Sequence, residues 1–444
     1  MNSLSNPHVD APRHQPAKTR KTIASKTTFG LFAVGLVVAM NAPSAFAAKS
    51  TNTVKPKAKT TAKSAAKTTK AKTTKAKATV APSTVATVAP TAAPTTVAKA
   101  AGPAGNTVTA EGISVARCEA NKQAGKITYL SGFDYAATAS IVEMVVADAK
   151  GYFAKMCLDV DVKASFSTAN YALVADNKAQ FASAGSYVEL VRNTPKERPL
   201  LAVYELGKTA VETLMVRDDG KLKDITDLRG KTIGIKGDLP PSIQLMLNKA
   251  GLKRGPDYKE QNVDGFNPVA HFSLPIDALP GYKSNEPGQL SRNTPPVKIT
   301  TFDPTEYNII GSFGLVYTNA KFMKEHPTAA QDFVRAALKG YQDAAADTDE
   351  AVAICVKKIN ATGNRNFLSP VGEGFRWKVE SKIVADSTPP GIAIGVMNAR
   401  RFSAQLDEYL EAGILKEKPP VTDTFDEAIA KGIYGADLKV IWPK

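Results

Sequence analysis

The chain has 444 residues and a formal net charge of +15, from 57 Lys and Arg against 42 Asp and Glu. Residues 1–107 contain 16 of the basic residues and one acid, which leaves 41 of each sign in the rest of the chain. The excess charge therefore belongs to the N-terminal segment and does not indicate a nucleic-acid partner for the body. Four His and three Cys are too scattered for a zinc motif, and we expect no metal and no cofactor.

Residues 1–47 have the pattern of a secretory signal peptide. Five basic residues precede Phe29–Met40, an uncharged apolar run that is shorter than the roughly 20 residues needed to span a bilayer. Pro43 ends the run, and Ala45-Phe46-Ala47 fits a cleavage site. We predict a secreted, extracytoplasmic protein, with an uncleaved membrane anchor as the alternative.

Residues 48–107 are rich in Lys, Ala, Thr, Val and Pro and contain no aromatic residue. Such a chain cannot bury enough apolar surface to offset its conformational entropy, so we predict a disordered arm. We expect a spacer or tether, with residues 49–100 able to contact an anionic cell envelope. DNA binding by its lysines is less favoured, because the signal places the arm outside the cytoplasm.

From Lys126 onwards, patterns typical of strands and helices alternate. This alternation predicts an α/β fold with a parallel sheet and helices on its faces. A body of about 330 residues exceeds what one core usually supports, so we expect two lobes. The predicted strands are Lys126–Ser131, Asp159–Phe166, Phe181–Gly185, Leu200–Leu206, Glu212–Arg217, Lys231–Gly237, Ile276–Gly281, Val297–Phe302 and Phe313–Thr318.

Apolar residues recur at helical spacing in Ala139–Met156, and a second helix is predicted at Tyr171–Gln180. Further helices are predicted from Tyr187 and from Pro240 to Ala250. After Lys321 the chain is predicted to be mostly helical and to pack on the earlier sheet without forming a site. These last helices are predicted at 328–347, 349–359, 373–386, 399–412 and 424–431.

The cysteines suit an oxidising compartment. Cys118 lies eight residues before the first predicted strand and Cys157 two residues before the second. If these strands are parallel neighbours, the two cysteines lie at the same edge of the sheet, so we predict a Cys118–Cys157 disulfide. Cys355 shares a helical face with Val352 and Ile359, which indicates a buried free thiol.

No catalytic signature is present: the sequence lacks a G-x-S-x-G elbow, a P-loop, an H-E-x-x-H motif and a strand-linked G-x-G-x-x-G. Instead, polar and aromatic residues follow the predicted strands, at the edge where open α/β sheets bind ligands. We therefore predict a small-molecule site and no enzyme. The candidate ligand-binding residues are Phe133, Asp134, Tyr135, Gly185, Ser186, Tyr187, Glu205, Asp238, Tyr282, Asn285 and Glu286.

Four stretches, in chain order, resemble one protein family. They are Ala147–Phe153 (A-D-A-K-G-Y-F), Phe181–Ser186 (F-A-S-A-G-S), Asp227–Gly234 (D-L-R-G-K-T-I-G) and the pair Asp277-Ala278 with Asn285–Pro287 (D-A and N-E-P). The family comprises the extracytoplasmic substrate-binding proteins of ABC importers, in the branch of sulfonate, taurine and nitrate binders and thiamine-pyrimidine-precursor binders.

The resemblance implies a type II periplasmic-binding-protein fold with two α/β lobes joined by two hinge strands. We place the crossings near Leu214–Arg217 and Leu315–Thr318, so that lobe one comprises residues 120–215 and 317–444 and lobe two residues 216–316. The family implies that the lobes close on a solute. It also implies an ABC permease and an ATPase as partners.

The ligand stays open between two chemical classes. Acids outnumber bases near the strand-end loops, and Phe133, Tyr135, Tyr187, Tyr204 and Tyr282 add aromatic rings. This combination favours an amine-bearing heterocycle such as an aminopyrimidine. Helix N-termini after Ser186 and Pro240 favour a sulfonate or nitrate instead.

Two other functions remain as alternatives. One is an enzyme similar to the thiamine pyrimidine synthase of the same family, which consumes its own active-site histidine; His271 is the candidate here. The other is a cell-wall or signalling binder that does not take part in transport.

Overall fold

A computed structural model describes residues 107–363 and 368–444. The predicted signal peptide and almost all of the predicted arm lie outside the described residues. Within the described ranges, no helix is both long and apolar enough to cross a membrane.

The described chain contains short strands and mostly amphipathic helices. The strands are β1 (Val108–Thr109), β2 (Gly112–Ile113), β3 (Lys126–Leu130), β4 (Asp159–Lys163), β5 (Phe181–Ala184), β6 (Leu200–Gly207), β7 (Glu212–Arg217), β8 (Thr232–Ile235), β9 (Lys259–Asn262), β10 (Ala278–Tyr282), β11 (Ile299–Phe302) and β12 (Phe313–Asn319). The helices are α1 (Val115–Lys122), α2 (Val142–Ala149), α3 (Tyr152–Lys155), α4 (Ser167–Ala175), α5 (Tyr187–Asn193), α6 (Pro241–Lys249), α7 (Pro268–His271), α8 (Glu286–Arg292), α9 (Ala320–Glu325), α10 (Pro327–Ala346), α11 (Thr348–Thr362), α12 (Pro370–Ser387), α13 (Ala399–Glu411) and α14 (Glu427–Lys431).

Two five-stranded sheets organise this part of the chain. The first sheet has the order β4-β3-β5-β12-β6, and the second has the order β11-β7-β10-β8-β9. Both sheets are mixed, which corrects the prediction of a parallel sheet. In the first, β12 is antiparallel to β5 and β6; in the second, β7 is antiparallel to β10 and β11.

The antiparallel strands are the ones that begin after the chain changes sheet. The chain leaves the first sheet after Gly207 and enters the second at Glu212, and it returns between Phe302 and Phe313. Both crossings therefore lie a few residues before the strand segments named in the sequence analysis. The crossing segments touch: a β-carbon at Gly311 would lie 2.2 Å from the Ala210 nitrogen, so only glycine fits there.

Most predicted elements agree with the structure to within a few residues. The exceptions have simple physical reasons. Strand β9 was missed because its sequence, Lys-Glu-Gln-Asn, is wholly polar at the edge of the second sheet. The predicted helix Tyr171–Gln180 begins earlier, as α4, because Ser167–Asn170 completes its first turn.

The Cys118–Cys157 disulfide is confirmed. Strands β3 and β4 are parallel neighbours, which brings the two cysteines to the same edge of the sheet. Next to the disulfide, the buried Arg117 donates to the buried Asp332 at 2.7 Å, which fixes α1 to α10. Cys355 is buried and is not part of a disulfide, as predicted.

Candidate functional site

A cavity of about 340 Å³ lies between the two sheets, where strands β3, β5, β8 and β10 end. This volume is at the lower end of the range for ligand pockets, roughly 300–1,000 Å³. The first-sheet half contributes Gly132, Phe133, Thr138–Ile141, Ser167, Ser183–Gly185, Glu189, Phe313, Gly314, Arg376 and Glu380. The second-sheet half contributes Lys236, Phe266, Tyr282 and Ser284–Glu286, and Val211 lies at the first crossing.

Glu189 occupies the first turn of α5, directly after β5. Its carboxylate packs so closely on the strand end that a β-carbon at Gly185 would lie 2.6 Å from Oε2. Burial, assisted by the nearby Glu212, raises the pKa of Glu189 to about 7, although Arg192 opposes this shift. Within the described ranges, no Lys, Arg or His lies within 4 Å of this carboxylate. Among the described residues, Glu189 is therefore a cavity acid without a direct ion-pair partner, and Arg192 acts on it only at longer range.

Glu286 occupies the matching place in the second half, in the first turn of α8 after β10. A β-carbon at Gly281 would lie 2.8 Å from its Oε2. Unlike Glu189, this carboxylate is paired: Lys236 Nζ lies 3.0 Å from Oε1, and the Tyr282 amide donates to Oε2 at 2.8 Å. The two halves thus use the same glycine-glutamate arrangement, but only one of the two acids is neutralised.

Aromatic rings from both halves meet at the cavity. Phe133, after β3, contacts Phe266 of the second half edge-to-face, with ring centroids 5.2 Å apart. Phe133 also contacts Phe166 at 5.9 Å. Lys236 Nζ lies 5.3 Å from the Phe266 ring centroid. Phe133 and Phe266 therefore present two nearly perpendicular aromatic faces at the cavity wall.

Helix α12 forms a further wall, which corrects the expectation that the late helices add nothing to a site. Arg376 and Glu380 line the cavity and are buried. Arg376 Nη1 donates to Glu373 at 2.9 Å, and its Nη2 donates to Asn285 at 2.9 Å. Glu380 accepts hydrogen bonds from Thr138, Ala139 and Ser284. Burial raises the pKa of Glu380.

The structure brings together some of the predicted site residues. Five of them line the cavity, namely Phe133, Gly185, Tyr282, Asn285 and Glu286. The other six lie outside its wall: Asp134, Tyr135, Ser186, Tyr187, Glu205 and Asp238.

Four of these six have structural roles close to the wall. The Tyr135 hydroxyl donates to the Val162 carbonyl at 2.6 Å. Tyr187 is buried and stacked on Phe402. Ser186 caps α5 by accepting from the Glu189 amide at 3.2 Å. Asp134 accepts the Tyr135 amide at 3.1 Å.

The remaining two acids, Glu205 and Asp238, form ion pairs with arginines. Glu205 is buried and accepts two hydrogen bonds from Arg401, at 2.8 and 2.9 Å, and Arg401 also donates to the Gly311 carbonyl. The Glu205–Arg401 pair thereby stabilises the second crossing, at residues 303–312. Asp238 is half-exposed and lies between Arg192, at 3.4 Å, and Arg254, at 3.8 Å.

His271 also lies away from the cavity. Its ring is buried, and Nε2 pairs with the Asp264 carbonyl at 2.8 Å. No group of three His, Cys, Asp or Glu in the described ranges is arranged to hold a metal ion.

Sequence reasoning missed Glu189, Arg376 and Glu380. Ser186-x-x-Glu189 matches a capping box, and a glutamate in that pattern usually closes a helix end rather than a cavity. Glu373, Arg376 and Glu380 are spaced to share one helical face, but this spacing does not indicate that the face reaches the cavity.

The fold is that of the periplasmic binding proteins. The aliphatic sulphonate binding protein SsuA from Escherichia coli superposes with a TM-score of 0.52 at 15% identity, over 67% of this chain and 91% of that chain. The alkanesulfonate-binding protein SsuA from Xanthomonas axonopodis pv. citri, bound to MOPS, gives 0.51 at 14% identity, over 68% and 98%.

Similarity is also found by sequence. Residues 138–351 match the family model described as NMT1/THI5 like. The riboflavin-binding protein RibY of Chloroflexus aurantiacus is 27% identical over 220 residues, 48% of this chain. The match spans only 61% of that relative's length. The resemblance drawn from the four sequence stretches is thereby confirmed.

Proposed function

We propose that the protein is the extracytoplasmic solute-binding component of an ABC importer and captures a small, flat heterocycle that carries amino or ring N–H groups. An aminopyrimidine-like vitamin precursor is the favoured ligand. The observation that carries the proposal is the Glu189 carboxylate, which lines a cavity with aromatic walls and forms no ion pair with any described residue. A ligand N–H donor would supply a charge-assisted hydrogen bond there.

The electrostatics of the wall oppose an anionic ligand. Helix α5 offers no free N-terminus to an anion, because Ser186 caps it and Glu189 occupies its first turn. The cationic side chains of the wall already have acidic partners: Lys236 pairs with Glu286, and Arg376 pairs with Glu373. An anion would have to compete with both carboxylates.

Ligand capture would use closure of two lobes. We place the lobe boundaries at the observed crossings, residues 208–211 and 303–312, rather than at residues 216 and 316. Phe133, Gly185, Tyr282, Asn285 and Glu286 remain proposed ligand contacts, to which we add Glu189 and Phe266. The closed form would be recognised by a membrane permease and its ATPase, and residues 49–100 would tether the protein at the cell envelope.

A sulfonate, taurine or nitrate ligand is the second candidate. The specific observation in its favour is that Lys236 and Arg376 both line the cavity. The relative described as riboflavin-binding suggests that a flavin, a larger planar heterocycle with a ring N–H, belongs in the same tests as aminopyrimidines. Activity like that of thiamine pyrimidine synthase is disfavoured, because His271 lies outside the wall. A binder without a transport role would keep the same site.

Titration calorimetry on the full secreted chain tests the proposal, with an aminopyrimidine, riboflavin, taurine, an alkanesulfonate and nitrate as ligands. We expect binding of a heterocycle and no measurable binding of the anions. Glu189→Gln should weaken the heterocycle. Glu417→Gln is the matched control, because Glu417 is an exposed acid paired with Lys196 away from the cavity. If only a sulfonate binds, the heterocycle proposal is wrong and the second candidate ligand class is supported.

A further inference from the structure

Helix α12 buries three charged side chains on one face. Glu373, Arg376 and Glu380 follow each other at intervals of three and four residues and are 0%, 4% and 3% exposed. Burying charges costs free energy unless each one is well partnered, and an apolar face would stabilise a helix contact at less cost. The partners of these charges therefore indicate what the face does.

Part of this face is fixed to the first-sheet half. Glu373 accepts the Ala137 amide at 2.8 Å. Glu380 accepts the Thr138 hydroxyl at 2.6 and 2.7 Å and the Ala139 amide at 2.6 Å. These bonds hold α12 against the loop that leads into α2, which itself lines the cavity.

The same side chains also bond to the second-sheet half. Ser284, which is buried, donates its hydroxyl to Glu380 Oε1 at 2.6 Å. Arg376 donates to Asn285 Oδ1 at 2.9 Å. Glu380 thus accepts donors from both halves on one carboxylate, directly beside the cavity.

Apolar packing supports the same contact. Helix α8 follows Ser284 and Asn285 and packs on α12 with its Gly288 against the Phe375 ring, where a β-carbon at Gly288 would lie 2.5 Å from a ring carbon. The Arg292 guanidinium lies 4.9 Å from the centroid of that ring. The loop of residues 284–286 and the helix after it therefore meet α12 as one surface.

We propose that Arg376 and Glu380 are positioning residues that hold the loop of residues 284–286 closed over the cavity, and so set the balance between open and closed protein without selecting the ligand. The inference rests on the proposed function only in assuming that closure traps a solute. Because the bonds join protein to protein, they stabilise the closed form before any ligand binds. Losing them lowers affinity for every ligand by the same factor.

The test measures closure in the absence of ligand. Cysteines introduced at the exposed Lys253 and Lys431, one on each half, carry a donor and an acceptor dye for single-molecule energy transfer on the full chain. Ser284→Ala should lower the ratio of closed to open molecules roughly 10- to 100-fold, since one hydrogen bond to a carboxylate acceptor is lost. Asn285→Ala, which removes the Arg376 bond, should act in the same direction if Ser284→Ala proves poorly folded.

Thr138→Val is the matched control, because it removes a hydrogen bond to the same carboxylate from the same half. The distance distribution should stay as in the unsubstituted protein. The proposal is overturned if Ser284→Ala and Asn285→Ala leave the distribution unchanged, or if Thr138→Val shifts it equally.

Binding measurements separate this inference from the proposed function. For every ligand that binds, Ser284→Ala should raise Kd by the factor by which the closed fraction falls and leave ligand preference unchanged. A change of preference would overturn the positioning role. If no ligand binds but the closure ratio still falls, the positioning role stands and the proposed function fails.

Discussion

The cavity has two kinds of wall, and their charged groups are used differently. At the strand ends, the Glu189 carboxylate forms no ion pair in the described ranges, although Arg192 lies near enough to oppose its pKa shift, so the carboxylate remains available to a ligand. On α12, the groups of Arg376 and Glu380 are already bonded to both halves of the protein. Lining a cavity therefore does not by itself make a residue a ligand contact; the hydrogen bonds it already makes decide its role.

Removing the buried charge of Arg376 on α12 should have the largest effect on stability. Arg376→Met leaves the fully buried Glu373 without its ion-pair partner and should lower the free energy of unfolding by about 3–5 kcal/mol. Urea denaturation measures the loss. The double variant Glu373→Gln/Arg376→Met should recover most of it. A loss below about 1 kcal/mol would show that the Glu373–Arg376 pair contributes no more to stability than an exposed surface ion pair does.

At the strand ends, the expected effect is on binding. Glu189→Gln should leave the free energy of unfolding unchanged or slightly raised, because it removes a partly desolvated acid. Affinity for an amine-bearing heterocycle should fall about 10- to 100-fold, as expected for loss of a hydrogen bond to a charged group. Affinity of the unsubstituted protein for a ligand that stays uncharged should rise as pH increases through about 7, where Glu189 ionises. Calorimetry at pH 6 and pH 8 checks both points, and equal affinity at the two values would count against Glu189.

The sequence predicted one of these walls and not the other, for a physical reason. Loops after strands have a fixed place in an open α/β sheet, so Phe133, Gly185 and Asn285 could be placed at its ligand-binding edge from order alone. Helix α12 reaches the cavity from far along the chain, and its position depends on tertiary packing that periodicity does not encode. Glu205 and Asp238 were predicted to contact the ligand, but both form ion pairs with arginines in the structure. Their arginine partners are Arg401 for Glu205 and Arg192 and Arg254 for Asp238, and these pairings cannot be read from the sequence because the partners are distant along the chain or across a loop.

A third acid, Glu143, tests whether burial is what raises the pKa values of these carboxyl groups. Glu143 is fully buried behind the strand-end loops and accepts the Tyr204 hydroxyl at 2.8 Å, and burial raises its pKa to about 8. The folded protein keeps this proton when the unfolded chain loses it near pH 4.5. Stability should therefore fall as pH rises from about 5 to 8, by at most about 1.4 kcal/mol per pH unit from this group. Glu143→Gln should flatten the slope in denaturation measured across that range, and an unchanged slope would contradict the assignment.

The smallest expected effect concerns the aromatic contact across the cavity. Phe266→Ala removes the ring that meets Phe133, and a pair of this type contributes about 0.5–1.5 kcal/mol beyond its buried area. Affinity for a flat ligand should fall a few-fold to about tenfold, with little change in the urea midpoint because Phe266 is 40% exposed. Leu274→Ala, at a similarly exposed position outside the wall, is the control. Equal losses of affinity in the two variants would show that the Phe266 ring does not contact the ligand.

The most direct test is calorimetric titration of the full chain and its Glu189→Gln variant with an aminopyrimidine, riboflavin and an alkanesulfonate. We expect a heterocycle to bind the unsubstituted protein and Glu189→Gln to weaken this binding at least tenfold. Sulfonate binding that Glu189→Gln leaves unchanged or strengthens, with no heat from either heterocycle, would contradict this expectation.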